Sequence, residues 1–449
     1  MQLYRKHMMI MAACMQKFYT GSITTLQALQ RTPQRKRAAY TQAYENFRRN
    51  PLNSKDSMVK VFVKISKCDV RGDKKYSVVK PRIISARTMR YNLKFAKYVC
   101  PMEAALAHLK RGRDNTIMCV AKKDNYQRAE ILMKKIRAVR RPLVVVLDGS
   151  SFDTSHTKRH KAILAEAYNS ICHSQELNDM LEWRSESKCV SDLGVKFTVV
   201  GQTQSGDRDT TLANVMSMIS HCAAILDTMR ITMDSLNCGD DMVLILDHDE
   251  VDDLGYGEKY LLETMTELAA EQGLTISPEV AIGYGRGNIE DIEFCRCRPI
   301  EYEMGKYVFI PHLRRALARM GVSHKHYSTG DALKWLHTLT VGDQYVFCGI
   351  PVVQTLVHRI AELAGGKHYK LETHTRWTAR QLIKNKRPNY KPVSAITRVS
   401  VDVAFGMSLQ EQELLENRFA SLTEKQIRQS MAGNEAPMLF GDDEMQTMA

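Results

Sequence analysis

Two short apolar runs stand out in the middle of the chain. Pro142-Leu-Val-Val-Val-Leu147 and Met242-Val-Leu-Ile-Leu246 are rich in branched side chains and too short for a typical helix, which predicts buried strands. The first ends on Asp148, and the second begins directly after Gly239-Asp-Asp241. Val59-Lys-Val-Phe-Val-Lys-Ile65 alternates in the manner of a strand with lysines on one face, and Lys196-Phe-Thr-Val-Val200 reads as another strand. Helical spacing covers Thr157 to about Trp183 and returns as a long amphipathic helix from about Thr210 to Met229, with Gly201 to Asp209 as a polar loop before it. The order strand, helix, strand-turn-strand, helix predicts an α+β layer with helices packed on one sheet face. Beyond about Pro299 the pattern turns mainly helical and basic, and the chain ends in a Met- and acid-rich tail expected to be mobile.

Composition narrows the class. A chain of 449 residues exceeds one ordinary core and implies two or three packed subdomains, while 44% apolar residues argue against wholesale disorder. The formal net charge of +14 favours a polyanionic partner, either nucleic acid or an anionic membrane surface. No stretch approaches the roughly 20 apolar residues that span a bilayer. The apolar run Met8 to Met15 is short and has no small-residue cleavage site after it, so no signal peptide is expected. The 11 cysteines are odd in number and irregularly spaced, as for reduced thiols in a cytosolic setting. Cys295 and Cys297 form the one tight pair, and a single C-x-C without a second ligand pair is weak evidence for zinc.

The aspartates carry the chemistry. Asp148 ends a buried strand, where its carboxylate can emerge at the sheet edge, and Gly239 gives the freedom for a tight turn bearing Asp240 and Asp241. If those strands are neighbours, three carboxylates converge, an arrangement unfavourable unless cations occupy it. Oxygen ligands suit magnesium or manganese, and two ions can clamp the attacking and leaving oxygens of a phosphoryl transfer. A second copy, Gly441-Asp-Asp443, is followed by Glu444 and a polar tail instead of an apolar strand, and reads as a solvated decoy. Asp153 follows Asp148 by five positions. In Ser205-Gly-Asp-Arg-Asp-Thr210-Thr-Leu-Ala-Asn214, Thr210 and Asn214 fall on one helix face. An Asn amide beside a carboxylate can read a ribose 2′-hydroxyl, which both donates and accepts. Lys80, Arg82, Arg87 and Arg90 make a basic stretch suited to a triphosphate, with a solvated basic face as the bland alternative.

In this order, Asp148-x4-Asp153, Ser205-Gly-x3-Thr210-x3-Asn214 and Gly239-Asp-Asp241 resemble motifs A, B and C of viral RNA-dependent RNA polymerases. Finer details resemble the tombusvirus-type branch of positive-strand RNA viruses: Phe62-Val-Lys64 with Lys67, Lys80-Pro-Arg-Ile-Ile-Ser with Arg87, Arg90-Tyr-Asn92, and Glu103. Ile292-Glu-Phe-Cys-Arg-Cys-Arg-Pro299 is similar to that branch's motif E, and Thr397-Arg-Val-Ser-Val-Asp-Val-Ala-Phe-Gly406 to a segment near the end of such polymerases. The likeness runs from about Val59 to Glu416.

The resemblance implies a right-hand fold. Fingers would cover 54–141 with an insertion at 161–200, the palm (an antiparallel sheet plus helices) 142–160 and 201–300, and a mainly helical thumb 301–430. An N-terminal extension would occupy 1–53 and a flexible tail 431–449. It further implies that Asp148, Asp240 and Asp241 hold two Mg2+ ions, or Mn2+, and that Asp153, Ser205, Thr210 and Asn214 select ribonucleotides. Lys64, Lys80, Arg82 and Arg87 would bind the nucleoside triphosphate. Arg90, Cys295 and Arg296 would contact RNA, with Cys295 and Cys297 positioning backbone near the primer strand instead of binding zinc. The implied partners are RNA template, nascent RNA and NTPs, together with viral or host replication proteins in a membrane-associated complex of the host cytoplasm. Primer-independent initiation is the family expectation, and an upstream polypeptide is conceivable.

One departure concerns the proton donor. Gly273-Leu-Thr-Ile-Ser-Pro-Glu279 lacks the lysine that many such polymerases carry shortly before motif E, which leaves Arg286 or a water as substitutes. Two rivals stand beside the polymerase reading. A reverse transcriptase shares the palm carboxylates but excludes the 2′-hydroxyl with a bulky side chain. A non-catalytic RNA-binding protein explains the charge but gives the strand-borne aspartates no purpose.

Overall fold

The computed structural model describes residues 1–47, 49–64, 82–112, 115–149, 151–255, 257–320, 329–365 and 377–427. Lys67, Lys80 and the Gly441-Asp-Asp443 tail lie outside the described residues. The chain divides into two compact units, one of residues 1–122 and 134–286, the other of 123–133 and 287–449.

The first unit opens with α1 (Gln2–Gln16), α2 (Thr25–Gln30), α3 (Gln34–Asn46), β1 (Val59–Val63), β2 (Ile83–Arg87), α4 (Met89–Leu106), β3 (Lys110–Arg111) and β4 (Thr116–Ile117). The division falls within α5 (Asn125–Arg137). Then follow β5 (Pro142–Gly149), α6 (Phe152–Ser155), α7 (Lys158–Cys172), α8 (Gln175–Trp183), β6 (Glu186–Ser191), β7 (Lys196–Val200) and α9 (Thr210–Met229). The unit closes with β8 (Asp234–Cys238), β9 (Asp241–Asp247), α10 (His248–Asp253), α11 (Glu258–Glu271) and β10 (Ile276–Ile282).

Both expected apolar strands are present and they are neighbours. They lie in an antiparallel sheet of order β10-β5-β9-β8. The register pairs Leu143, Val145 and Leu147 of β5 with Leu246, Leu244 and Met242 of β9. Because side chains alternate along a strand, these six share one face. That face joins one hydrophobic cluster with α1, α4, α7, α8, α9 and α11. Val144, Val243 and Ile245, on the other face, are also buried. A second sheet, β2-β1-β6-β7, is antiparallel except for the β1–β6 pair. Its edge strand β2, its member β6 and the sheet strand β10 were not foreseen. β10 carries a proline and β2 carries serine and arginine, so neither presents an apolar run.

α1 docks by its spacing. Tyr4, Met8, Met11 and Met15 fall on one helical stripe, are all buried, and pack against α7 and α9. Each such side chain stabilises the contact by roughly 1.5–3 kcal/mol. Its polar flank is fixed by Arg5 with Glu166 and by Lys6 with Asp227 at 2.9 Å. α9 amends the expectation that no segment approaches spanning length: it is long and apolar enough by composition, but 89% of its apolar window is buried within the unit.

The second unit begins with β11 (Cys297–Glu303) and β12 (Lys306–Pro311), an antiparallel hairpin. It continues with α12 (Leu313–Arg319), α13 (Thr329–Val346), α14 (Val353–Leu363), α15 (Trp377–Lys384), α16 (Ala395–Phe405) and α17 (Leu409–Ala420). These share a separate hydrophobic cluster. The region beyond Pro299 is therefore helical only after a hairpin.

Candidate active site

The Gly239-Asp-Asp241 segment is a two-residue hairpin. Cys238 pairs with Asp241, leaving Gly239 and Asp240 as the loop. Gly239 has φ +81° and Asp240 does not share a positive φ, the pattern of a type II′ turn with glycine first. A Cβ at Gly239 would meet nothing within 4 Å, so the backbone, not crowding, demands glycine. Asn237 closes the turn, donating to the carbonyls of Gly239 and Asp241 at 3.3 Å each.

β5 brings the third carboxylate to the same end. Leu147 pairs with Met242, and one further step along this register sets Asp148 abreast of Asp241. Directly opposed antiparallel residues have Cα atoms about 4.5–5.5 Å apart. Alternation puts both on the face opposite the helices, with Val243 and Ile245. Asp148 and Asp240 are exposed. Neither pairs with a cation among the described residues.

Asp153 is the half-buried member of the group, one turn beyond β5 on α6. Asn214, on α9, donates Nδ2 to Asp153 Oδ1 at 2.9 Å. Burial raises the Asp153 pKa, the Asn214 hydrogen bond and the Lys161 charge oppose that, and the charges of Asp240 and Asp207 add to it. Asp240 and Asp153 thus lie within electrostatic reach of each other. Asn214 is buried, yet no donor among the described residues reaches its Oδ1. An orphaned buried amide oxygen costs about 1–3 kcal/mol and marks a place prepared for a hydroxyl or amine donor.

The loop ahead of α9 is tied down. Ser205 Oγ accepts from Ser85 N at 3.1 Å, and the Thr210 hydroxyl donates to the carbonyls of Gln204 and Asp207 at 3.0 and 2.9 Å. Thr210 therefore braces the loop. Lys161, missed in the sequence, donates to Thr203 Oγ1 at 2.8 Å, while Thr203 N donates to the Asp153 carbonyl at 2.8 Å. Burial, then the Arg184 charge, lowers the Lys161 pKa to about 8. Its only sequence signal was its place eight residues beyond Asp153.

A family model for viral RNA-dependent RNA polymerase matches residues 4–426. The chain belongs to that family. It is 28% identical over 394 residues to an RNA-directed RNA polymerase of Groundnut rosette virus (strain MC1), covering 86% of this chain and 45% of that protein. The corresponding enzyme of Oat chlorotic stunt virus is 29% identical over 427 residues, 90% of this chain and 54% of the relative. That of Tomato bushy stunt virus (strain Cherry) is 26% identical over 395 residues, 84% and 45%. The polymerase domain is thus related at low identity to those of several plant positive-strand RNA virus families, Tombusviridae among them. The chain spans about half the length of these curated relatives.

Family membership implies metal-dependent catalysis. Among the described residues, no group of three or more His, Cys, Asp or Glu side chains converges closely enough to enclose an ion. The donor chemistry nonetheless fits: carboxylate oxygens at one sheet edge, two of them exposed and unpaired, suit a hard divalent cation.

Several expected contact residues have other employment. Arg87 is buried, pairs with Asp207 at 2.7 Å and donates to Ser57 O and Ser187 Oγ, so it is not presented to a triphosphate. Arg90, expected at RNA, is committed to Asp56 at 2.8 Å, to Asn46 and to the carbonyls of Asn50 and Pro51, over the Phe47 ring. Lys64 and Arg82 are exposed and adjacent, with Lys64 N donating to Arg82 O at 2.8 Å. Lys80 lies outside the described residues. Cys295 and Arg296 form a left-handed turn, φ 54° and 59°, between the bridged residues Phe294 and Cys297. Arg286 cannot serve as the proton donor. β10 sets Ser277 beside Asp148, and Gly283 lies six residues further on, about 20 Å along the strand. At that far end Arg286 is bound to Glu258.

Proposed function

We propose that this polymerase domain copies a viral RNA template, joining nucleoside triphosphates to an RNA 3′-hydroxyl with release of pyrophosphate. The observation that carries the reading is the Asp153–Asn214 pair with its orphaned amide oxygen, within electrostatic reach of the Gly239-Asp-Asp241 hairpin. Asp153 and the Asn214 oxygen together would engage the 2′- and 3′-hydroxyls of an incoming ribonucleotide. Asp148, Asp240 and Asp241 would hold two Mg2+ or Mn2+ ions. When bound, such ions supply Lewis acidity toward the attacking hydroxyl and neutralise charge on the leaving pyrophosphate. The exposed Lys64 and Arg82, with Lys80, would meet the triphosphate as charge-assisted donors. Template base pairing supplies sequence choice.

The same reading assigns the first unit to palm and fingers and the second to a thumb, on a tombusvirus-type plan. The RNA partners, a membrane-associated replication complex in the host cytoplasm and primer-independent initiation belong to it as well. The test is synthesis by the purified protein on a defined RNA template without primer, with magnesium or manganese added or chelated. Asp240→Asn should abolish incorporation at unchanged fold. Metal-independent synthesis, or equal use of ribo- and deoxyribonucleotides, would overturn the assignment.

A further inference from the structure

The loop from Gln204 to Asp209 rests edge-on against β2, and four buried charges sit beneath it. Gly206 N donates to Ser85 O at 2.8 Å, while Ser85 N returns to Ser205 Oγ. The approach is so close that a Cβ on Gly206 would stand 2.8 Å from Ala86 Cα and from Ser85 O. Asn92 of α4 donates to Gly206 O at 3.2 Å and accepts from Arg208 N at 3.1 Å. Below, Arg87 at the end of β2 pairs with Asp207 at 2.7 Å, both side chains at most 2% exposed. Arg184, which follows α8, lies 3.8 Å from Asp207 and grips Asp209 with two bonds of 2.8 and 2.9 Å. Tyr168 adds a third bond to Asp209 at 3.0 Å. Burial would raise the Asp209 pKa, but Arg184 holds it below the ordinary carboxylate range.

A chain that needed only a stable loop could use apolar packing, since replacing a buried ion pair with hydrophobic residues is often neutral or stabilising. What ion pairs add is a single register between the pieces they join. Here the pieces are β2, which begins beside the exposed Arg82, and the loop that leads into Asn214. The loop also reaches α6, through Thr203 N and the Asp153 carbonyl.

We propose that Arg87, Asp207, Arg184 and Asp209 are positioning residues: a buried latch that locks the strand facing the triphosphate to the loop that places the ribose-reading Asp153–Asn214 pair. The latch makes phosphate grip and sugar choice one rigid unit, so an incoming nucleotide held by its phosphates presents its 2′-position in fixed register. The inference rests on the polymerase reading above for its phosphate and sugar arms, and on the geometry alone for the latch.

Two variants test it on the full chain. Asp207→Asn removes the latch charge, and Gly206→Ala wedges the loop from β2 without altering any charge, which keeps the test open if the first variant fails to fold. Amide exchange at Ser85 and Gly206 should accelerate about tenfold or more in both variants, with the β9 amides of Val243 to Leu246 unchanged. The ratio of kcat/KM for ATP over dATP should fall about 10- to 100-fold, chiefly through KM for ATP, the effect expected for losing hydrogen bonds that only the ribonucleotide makes. Unchanged exchange at Ser85 and Gly206 overturns the latch. Faster exchange with a retained ATP/dATP ratio overturns its role in sugar choice. If the unaltered protein makes no RNA, the polymerase reading falls, and the exchange data alone uphold or overturn the latch.

Discussion

Acid should loosen the first unit before the carboxylates held low by their cation partners begin to protonate. His156, His160 and His221 form a chain of ring contacts with centroids 5.6 and 5.2 Å apart, and Tyr4 of α1 stacks on His221 at 4.0 Å. His221 meets the Gln272 side chain at 2.7 Å and His160 the Gln272 carbonyl at 3.1 Å. Burial lowers all three pKa values, that of His156 to about 3. The charges acting on them are cationic or other histidines: Lys161 on His156, Lys161 and Arg159 on His160.

The sign follows from linkage. The folded pKa lies below the unfolded value of about 6.5, so the unfolded chain takes up the protons. The stability is complete above about pH 6.5 and declines as pH falls toward the folded pKa. At about pH 5 His156 alone costs about 2 kcal/mol, one and a half pH units below 6.5 at 1.36 kcal/mol per unit. Glu176 and Asp209, held low by Lys97 and Arg184, lose their contributions only below about pH 5, because their unfolded values are near 4. Urea unfolding at about pH 7 and about pH 5, followed by circular dichroism, compares the unaltered chain with His156→Gln. The loss between the two pH values should be smaller by about 2 kcal/mol in the variant. Equal losses would show that His156 is not kept neutral by its surroundings.

Three further outcomes follow from local geometry. Gly239→Ala should destabilise the fold by about 1–2 kcal/mol through the positive φ alone, since no atom obstructs its Cβ; an unchanged urea midpoint would contradict the turn assignment. Lys135→Met should destabilise the fold by up to about 3–5 kcal/mol in urea denaturation, because it removes the 2.7 Å ion-pair partner of Asp234, both side chains at most 4% exposed; an unchanged midpoint would show that the pair contributes nothing. Asn214→Ala should cut the ATP/dATP ratio more than it lowers dATP incorporation, and a proportional loss on both substrates would remove Asn214 from sugar recognition.

The parts of the site legible in the sequence were those written in local pattern. Two apolar runs, each abutting an aspartate, gave strands whose ends carry the carboxylates, and Gly239 marked the turn between two strand-like runs. Pairing Asp153 with Asn214 needed only their order, and the hydrogen bond joins them across 61 positions. Arg87 misled because a basic residue in a basic stretch reads as a phosphate contact or a solvated face. Its counter-charge, Asp207, lies 120 positions away in a loop, and only folding reveals that the two meet in the interior. β10 was hidden for a related reason: Ile276-Ser-Pro-Glu-Val-Ala-Ile282 has no clean alternation, and its place comes from pairing with β5. The histidine cluster joins His156, before α7, and His160, on α7, to His221 on α9 and Tyr4 on α1; the sequence shows only the four-residue step from His156 to His160.

Asp148 and Asp240 differ from the buried acids around them. Asp207, Asp209, Asp234 and Glu103 each face a cation inside the fold. Asp148 and Asp240 face none among the described residues, and Asp240 adds to the cost of ionising Asp153. An unpaired charge that repels its neighbours subtracts from stability, so its retention is an expense borne for a ligand. Asp240→Asn should therefore abolish synthesis while leaving the melting temperature unchanged or raising it by roughly 1–2 °C, the shift expected for a few tenths of a kcal/mol in a unit of this size. Magnesium should raise the melting temperature of the unaltered chain and do so less in the variant. A variant that melts several degrees lower in the absence of magnesium would place Asp240 in the structural framework and not at a cation site.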